Sequence, residues 1–408
     1  MKLVDRHVIK KSHKFYKECD DLCFKSKNLF NAANYVVRQE FIKNKKYINK
    51  YDIQKTFQGK SVDYLALPAK VSQQTLKLLD QSWSSFFAAI KDYSKNPGKY
   101  LGKPKLPNYK HKLKGRFATV YDKQAISKSY FDKHGLLKLS QTNIAINSRF
   151  SFYDVKQIRI VPRMEHYVIE VVHEVDVSEV QRNPNNVLGL DLGVNNLCAA
   201  ASNDNNVKFL ISGRPVKAIN QFFNKKRAKL QSMLTKGVTK TTKLTSKSIN
   251  KLTNKRNNKI NDYLHKASRK IIDNCLTNDI GKIVIGRNKD WKQNIQIGKR
   301  NNQNFVGIPF YKLINMITYK AQLENIEVVT NEESYTSKCS ALDNEKLCKH
   351  DKYLGRRVKR GLFKTKDKIL VNSDINGALN IIRKVVSNFA IATDEIEGFA
   401  VSPKLLKV

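Results

Sequence analysis

Apolar side chains in the first 110 residues recur three and four apart, the period of a helix with one buried stripe. From Val71 the series runs through Thr75, Leu78, Leu79, Trp83, Phe86, Phe87 and Ile90, and it stops before the helix-breaking Asn96-Pro97-Gly98. An extended, basic and turn-rich stretch follows, Gly102-Lys103-Pro104-Lys105-Leu106-Pro107-Asn108-Tyr109-Lys110. Over 114–177 the pattern shortens to β-branched runs at 136–139, 144–146, 158–161 and 167–172, which predict strands and a small β-barrel. Asn183-Pro184-Asn185 marks a boundary.

From Val187 the pattern is mixed α/β. An apolar run ends at Asp191, and strands at 199–202 and 207–210 flank a turn at 203–206. Helical periodicity at both ends of 214–270 (Phe222, Phe223, Leu230; Ile260, Tyr263, Leu264, Ala267, Ile271) predicts a long helical hairpin. A buried strand at 282–286, a helix at 309–323, a strand at 326–329 and an amphipathic helix opening at Asp374 complete the series. Strand, hairpin strands, helix, strand, helix, strand, helix is the order of the ribonuclease-H-like fold.

Charge narrows the partner. The 408 residues hold 76 Lys and Arg against 35 Asp and Glu, a formal net charge of +41. Such an excess repels itself in a compact state unless a polyanion neutralises it. The 214–270 hairpin alone carries 17 basic residues and one acid, Asp262, so one of its faces is expected to meet nucleic acid. An anionic membrane is the rival, but no long basic helix has a clean apolar face and no run is apolar enough to span a bilayer. The opening residues Met1-Lys2-Leu3-Val4-Asp5-Arg6-His7 are too polar for a signal peptide. Six cysteines are few for this length and suit a reducing cytosol; Cys198 and Cys275 are expected as buried free thiols, and Cys19 and Cys23 on one helix face. The expected location is the bacterial cytoplasm, associated with the nucleoid.

The candidate chemistry is acidic. Nucleases of this fold place carboxylates at strand ends and on a late helix, where two metal ions activate water and stabilise the leaving oxygen. Asp191 fits the strand end and Asp374 the helix start. Taken singly, Asp191 also reads as a turn residue and Asp374 as a helix cap. Mg²⁺ prefers oxygen ligands, and clustered carboxylates need a compensating cation.

Gly189-Leu190-Asp191-Leu192-Gly193-Val194-Asn195-Asn196-Leu197 resembles the first RuvC motif of TnpB, the RNA-guided DNA endonuclease of certain bacterial insertion sequences and a relative of type V CRISPR nucleases. Asp374-Ile375-Asn376-Gly377-Ala378-Leu379-Asn380-Ile381 resembles the third RuvC motif, and Tyr335-Thr336-Ser337-Lys338-Cys339 the opening of the zinc ribbon. The 102–110 stretch is similar to the family's N-terminal basic element.

Two departures stand out. Gly286 occupies the strand end where the family's second motif carries Glu. Glu332-Glu333 ends the next strand, and the resemblance is then to a rearranged subgroup and to the eukaryotic Fanzor relatives; Glu333 is favoured as the relocated acid, with Glu332 as substitute. The zinc knuckles are also missing: Cys339, Cys348 and His350 supply three scattered donors, so no structural zinc is expected.

The resemblance implies a multidomain α+β chain. Residues 1–113 would form a helical recognition region that includes a first wedge strand, and 114–183 a wedge-like barrel. Residues 184–386 would form a RuvC-like α/β domain with the hairpin inserted at about 213–270 and a degenerate zinc-ribbon loop at about 338–370; 387–408 would be a tail. It implies two Mg²⁺ ions (Mn²⁺ as substitute) at Asp191, Glu333 and Asp374, with Asn376 in support. The implied partners are a guide RNA from the element's right end and double-stranded target DNA with a short adjacent motif. Expected nucleic-acid contacts are Lys70, Gln73, Gln74, Lys103, Lys105, Lys110, Arg287, Trp291, Lys292, Arg356 and Arg357; Arg287 or Arg356 would balance phosphate charge. The competing readings are a guided DNA-binding protein with a decayed site and a transposase acting through an acidic triad.

The charge makes a first prediction. Affinity for nucleic acid, measured by fluorescence anisotropy, should fall by about 10³-fold or more between 50 and 200 mM salt. A flat dependence would exclude phosphate contacts as the main source of binding.

Overall fold

A computed structural model describes residues 1–204, 207–237, 245–288, 296–386 and 403–408. The chain divides into two compact units, Met1–Val175 and Asp176–Val408.

The first unit begins with β1 (Lys2–Ile9), followed by helices α1 (Tyr16–Asn44), α2 (Lys50–Phe57), α3 (Val62–Leu65) and α4 (Ala69–Lys95). The stripe read from Val71 onward lies on α4, with Val71, Thr75, Leu76, Leu79 and Trp83 buried. Strands β2 (Thr119–Asp122) and β3 (Ile126–Ser127), helix α5 (Lys128–His134), and strands β4 (Leu136–Leu139), β5 (Ala145–Asn147), β6 (Val155–Pro162) and β7 (Tyr167–Glu174) follow. Pairing resolves two sheets, β1-β7-β6-β2 and β3-β4-β5, where one small barrel was expected. The reason is a break after β2, where the Asp122 carboxylate accepts a bond from the Ala125 amide at 3.2 Å and turns the chain away. Helices and strands of this unit share one core.

The basic stretch before β2 has no strand partner, and side chains of α1 satisfy its backbone instead. Lys27, Asn31, Asn34 and Arg38 lie three or four apart and hence on one helix face. Lys27 Nζ donates to Lys112 O at 2.6 Å, and Asn31 bonds both the N–H and the C=O of Lys110 at 2.8 Å. Asn34 and Arg38 both donate to Pro107 O, at 3.0 and 2.9 Å. Asn34 also accepts from the buried Trp83 indole at 3.0 Å, which ties the stretch to α4.

The second unit is a six-stranded sheet with helices on both faces. Its elements are β8 (Asn183–Asp191), β9 (Asn196–Ser202), β10 (Lys208–Ser212), α6 (Arg214–Thr235), α7 (Lys247–Thr277), β11 (Ile280–Gly286), α8 (Lys299–Gly307), α9 (Phe310–Leu323) and β12 (Glu327–Asn331). A small sheet, β13 (Arg356–Lys359), β14 (Leu362–Lys364) and β15 (Leu370–Asn372), precedes α10 (Ser373–Arg383), and β16 (Lys404–Leu406) closes the unit. The main order is β12-β11-β8-β9-β10-β16, with β8, β11 and β12 mutually parallel and β9 antiparallel to both neighbours. β16 falls in the stretch expected to be a tail and pairs parallel with β10. α6 and α7 pack against each other, and no helix among the described residues is long and apolar enough to cross a membrane.

Alternation along the strands decides which helix each residue meets. Leu188, Leu190, Cys198, Ala200, Ile283 and Ile285 pack with α7 and α9. Val187, Ala199, Ala201 and Val284 pack on the opposite face, where α10 lies. Gly189 faces α10 so closely that an added Cβ would collide with the Ala378 carbonyl and lie 2.7 Å from Ile382 Cγ1. A second prediction follows: Gly189→Ala should destabilise this unit by about 1–3 kcal/mol, read as a lowered thermal midpoint. An unchanged midpoint would mean that α10 does not pack on β8 this tightly.

Candidate active site

Asp191 is the last residue of β8, and parity puts it on the α10 face with Gly189. Asp374 sits in the first turn of α10. It is not the cap: Asn372 Oδ1 accepts from the Asp374 and Ile375 amides at 3.0 and 3.3 Å. The Asp374 carboxylate is therefore free to face the sheet, where Asn196 Nδ2 at the start of β9 donates to it at 2.7 Å. Gly377, one turn on, lies over Asp191: a Cβ there would come within 2.5 Å of Asp191 Oδ2.

Asp191 and Asp374 line one cavity of about 390 Å³ together with Asn195, Asn196, Arg214, Arg357 and Arg360. Arg357 Nη2 stands 3.9 Å from Asp374 Oδ1. Burial, then the Asp374 and Glu333 charges, push the Asp191 carboxyl up to about 8, with Arg357 opposing them.

Glu333 lies two residues beyond β12, and the register Gly286↔Asn331 puts residues 286, 331 and 333 on the same side. A Cβ on Gly286 would meet Ile381 Cδ1 at 2.5 Å and Glu333 Oε2 at 3.0 Å. The Glu333 carboxylate thus stands beside the space left by the missing side chain. Asn288 donates from Nδ2 to the carboxylate at Oε1 and accepts from the Glu333 backbone amide, both at 3.1 Å. Burial and the neighbouring Glu332 raise its carboxyl to about 7. Glu332 is exposed and pairs instead with Lys384 Nζ at 3.3 Å. Among the described residues no three of His, Cys, Asp and Glu form a ready-made metal group.

The other expected residues scatter. Asn376 is fully buried and turns away from the cavity, because two residues along a helix is about 200° of rotation. It accepts from the Ala341 amide and donates to Cys339 O, both at 2.9 Å. Arg287 lies over the Tyr311 ring at 5.4 Å. Arg356 is exposed on β13, and its neighbour Arg357 enters the cavity instead. Trp291 and Lys292 lie outside the described residues. In the first unit Lys70 is exposed at the start of α4, Gln73 is half-buried, and Gln74 donates to Asp122 Oδ2 at 3.3 Å. Lys103 and Lys105 are exposed, while Lys110 Nζ sits 5.0 Å over the Phe30 ring. In the degenerate ribbon, Cys348 Sγ faces His350 Nε2 at 3.5 Å, and Cys339 Sγ donates to Lys346 O at 3.4 Å.

Arg214, Arg360, Asn196 and Asn288 were not singled out from the sequence. For Asn196 a signal existed, the paired Asn just after Asp191; for the others only the fold brings distant segments together.

The cavity makes a third prediction. Asp191 takes a proton more readily folded than unfolded, so the cation-free protein loses stability as pH rises from 3.8 to about 8. Asp191→Asn should therefore raise the thermal midpoint at pH 8 and leave it nearly unchanged near pH 4. Millimolar Mg²⁺ should raise the wild-type midpoint more than that of the variant. A variant less stable than wild type at pH 8 would show that Asp191 is not under electrostatic strain.

Residues 168–292 match the family model OrfB_IS605, described as a probable transposase, and residues 310–381 match the Cas12f1-like TNB domain. The chain is 27% identical over 243 residues to the CRISPR-associated endodeoxyribonuclease Cas12f2 of Micrarchaeota archaeon (strain CG1_02_47_40), covering 56% of this chain and 42% of that protein. It thus spans less than half the length of that relative. It is 23% identical over 389 residues to the TnpB-like protein ORF457 of Acidianus two-tailed virus, covering 88% of this chain and 82% of the relative. The solved Cas12f1–sgRNA–target DNA complex has the same fold, with a TM-score of 0.56 at 15% identity over 90% of this chain and 82% of that one. Two family segments in chain order, and a relative matched along most of both lengths, make this chain similar to the TnpB-like family.

Proposed function

We propose that this protein is an RNA-guided DNA endonuclease of a transposable element, hydrolysing phosphodiester bonds at Asp191, Glu333 and Asp374. The observation that carries the reading is the arginine-rimmed cavity in which Asp191 and Asp374 meet, with Glu333 coupled to Asp191 and standing beside Gly286. The chain would be one of the rearranged-glutamate subgroup. Its partners would be a guide RNA from the element's right end and double-stranded target DNA, in keeping with the sgRNA and target DNA named for the Cas12f1 complex. Lys70, Lys103 and Lys105 would serve phosphates in the first unit.

The donor set fits a hard divalent cation. It is all oxygen, and Asp191 is held protonated at neutral pH unless positive charge compensates it. Asp191, Glu333 and Asp374 would hold two Mg²⁺ ions, with Mn²⁺ as substitute. When bound, such ions supply a hydroxide nucleophile and neutralise the leaving oxygen. The side chains around them have their own tasks. Asn196 orients Asp374, Asn288 orients Glu333, and Arg214, Arg357 and Arg360 offer donors to a phosphate entering the cavity.

The test uses the complex with guide RNA, Mg²⁺ and a matching target plasmid. Wild type should cut, and a chelator should stop it. Asp191→Ala and Glu333→Gln should lower the rate by about 10²-fold or more while guide RNA binding persists; Glu332→Gln should stay within about twofold. Target binding by wild type without any cutting would leave a guided DNA-binding protein, the reading favoured by the acid missing at Gly286. Joined DNA products would point to a transposase.

A further inference from the structure

The helical hairpin carries a groove that the acidic cavity does not use. Two adjoining hollows of about 260 and 440 Å³ run along the α6–α7 seam and share Leu252 and Lys255. Their apolar lining includes Phe222 and Met233, which are 60% and 66% exposed. Phe222, Lys226, Lys229 and Met233 follow at intervals of four, three and four, so they form one stripe of α6. Across the seam Lys251, Lys255 and Lys259 rise one turn apart on α7.

Among the described residues no acid lines either hollow, and the acids on α7 are engaged elsewhere: Asp262 pairs with Lys266 at 2.9 Å and Asp273 with Arg269 at 2.7 Å. An apolar floor with a bare cationic rim is poorly matched to water and to another copy of this cationic chain. It matches a ligand with flat apolar faces joined by negative charges at short intervals. A duplex hides its base faces and would leave Phe222 and Met233 unused; a single strand offers both parts.

We propose that the α6–α7 groove binds a single-stranded stretch of nucleic acid, with unpaired bases against Phe222, Leu252 and Met233 and phosphates on the flanking lysines. This does not depend on the acidic cavity or on cleavage.

The full chain, with Mg²⁺ omitted, is tested for binding a short oligouridine and a duplex of equal length, at salt high enough to suppress general phosphate binding. Phe222→Ala should weaken oligouridine binding about tenfold and duplex binding less than twofold, and Phe222→Trp should restore it, because stacking depends on a ring rather than on one side chain. A 4-thiouridine strand irradiated on the wild type should attach to the 214–237 peptide, a readout that remains informative if the alanine variant folds poorly. Equal losses on both ligands, no loss, or attachment confined to other segments would overturn the proposal. Displacement of oligouridine by polyglutamate at equal charge would also overturn it, in favour of an acidic protein partner.

Discussion

The second unit depends on how closely α10 can lie against the sheet. Gly189 and Gly377 each lack the Cβ that would hold the helix and β8 apart. That closeness sets Asp374 opposite Asn196 and sets the Gly377 backbone over Asp191. Asn376 and Asn380 then fasten the far side of the helix, both donating to Cys339 O, so the helix is held on two sides. The carboxylates meet because of this packing; their own charges oppose it.

Gly286 belongs to the same scheme. A side chain there would have to displace the Ile381 side chain of α10 and the Glu333 carboxylate. Glu333, one strand over and two residues on, is held by Asn288 instead. Burial, then the Asp374 and Glu333 charges, raise Asp191 to about 8, and burial with the neighbouring Glu332 raises Glu333 to about 7. Three arginines rim the cavity without forming a tight pair with Asp191. Such a site stores electrostatic strain that cations can relieve. The α6–α7 pair handles charge differently: exposed lysines border an apolar seam with no acid among the described residues that line it.

Much of this was legible in the linear pattern. The helix from Val71, the strands at 136–172, the strand ending at Asp191, the basic hairpin and the helix opening at Asp374 all lie where periodicity put them, because period is a local property. The resemblance favoured Glu333 with Glu332 as substitute; in the fold Asn288 bonds Glu333, while Glu332 pairs with Lys384. The sequence by itself thus determined the elements, the sign and scale of the charge, and the acids available. Only the tertiary structure decided which polar residues share a cavity. Asn376 faces away because of helix rotation, Arg357 and Arg360 enter where Arg287 and Arg356 do not, and strand pairing yields two sheets in the first unit where a barrel was expected. Those outcomes rest on contacts between residues far apart in the chain, and no local period encodes which distant surfaces will meet.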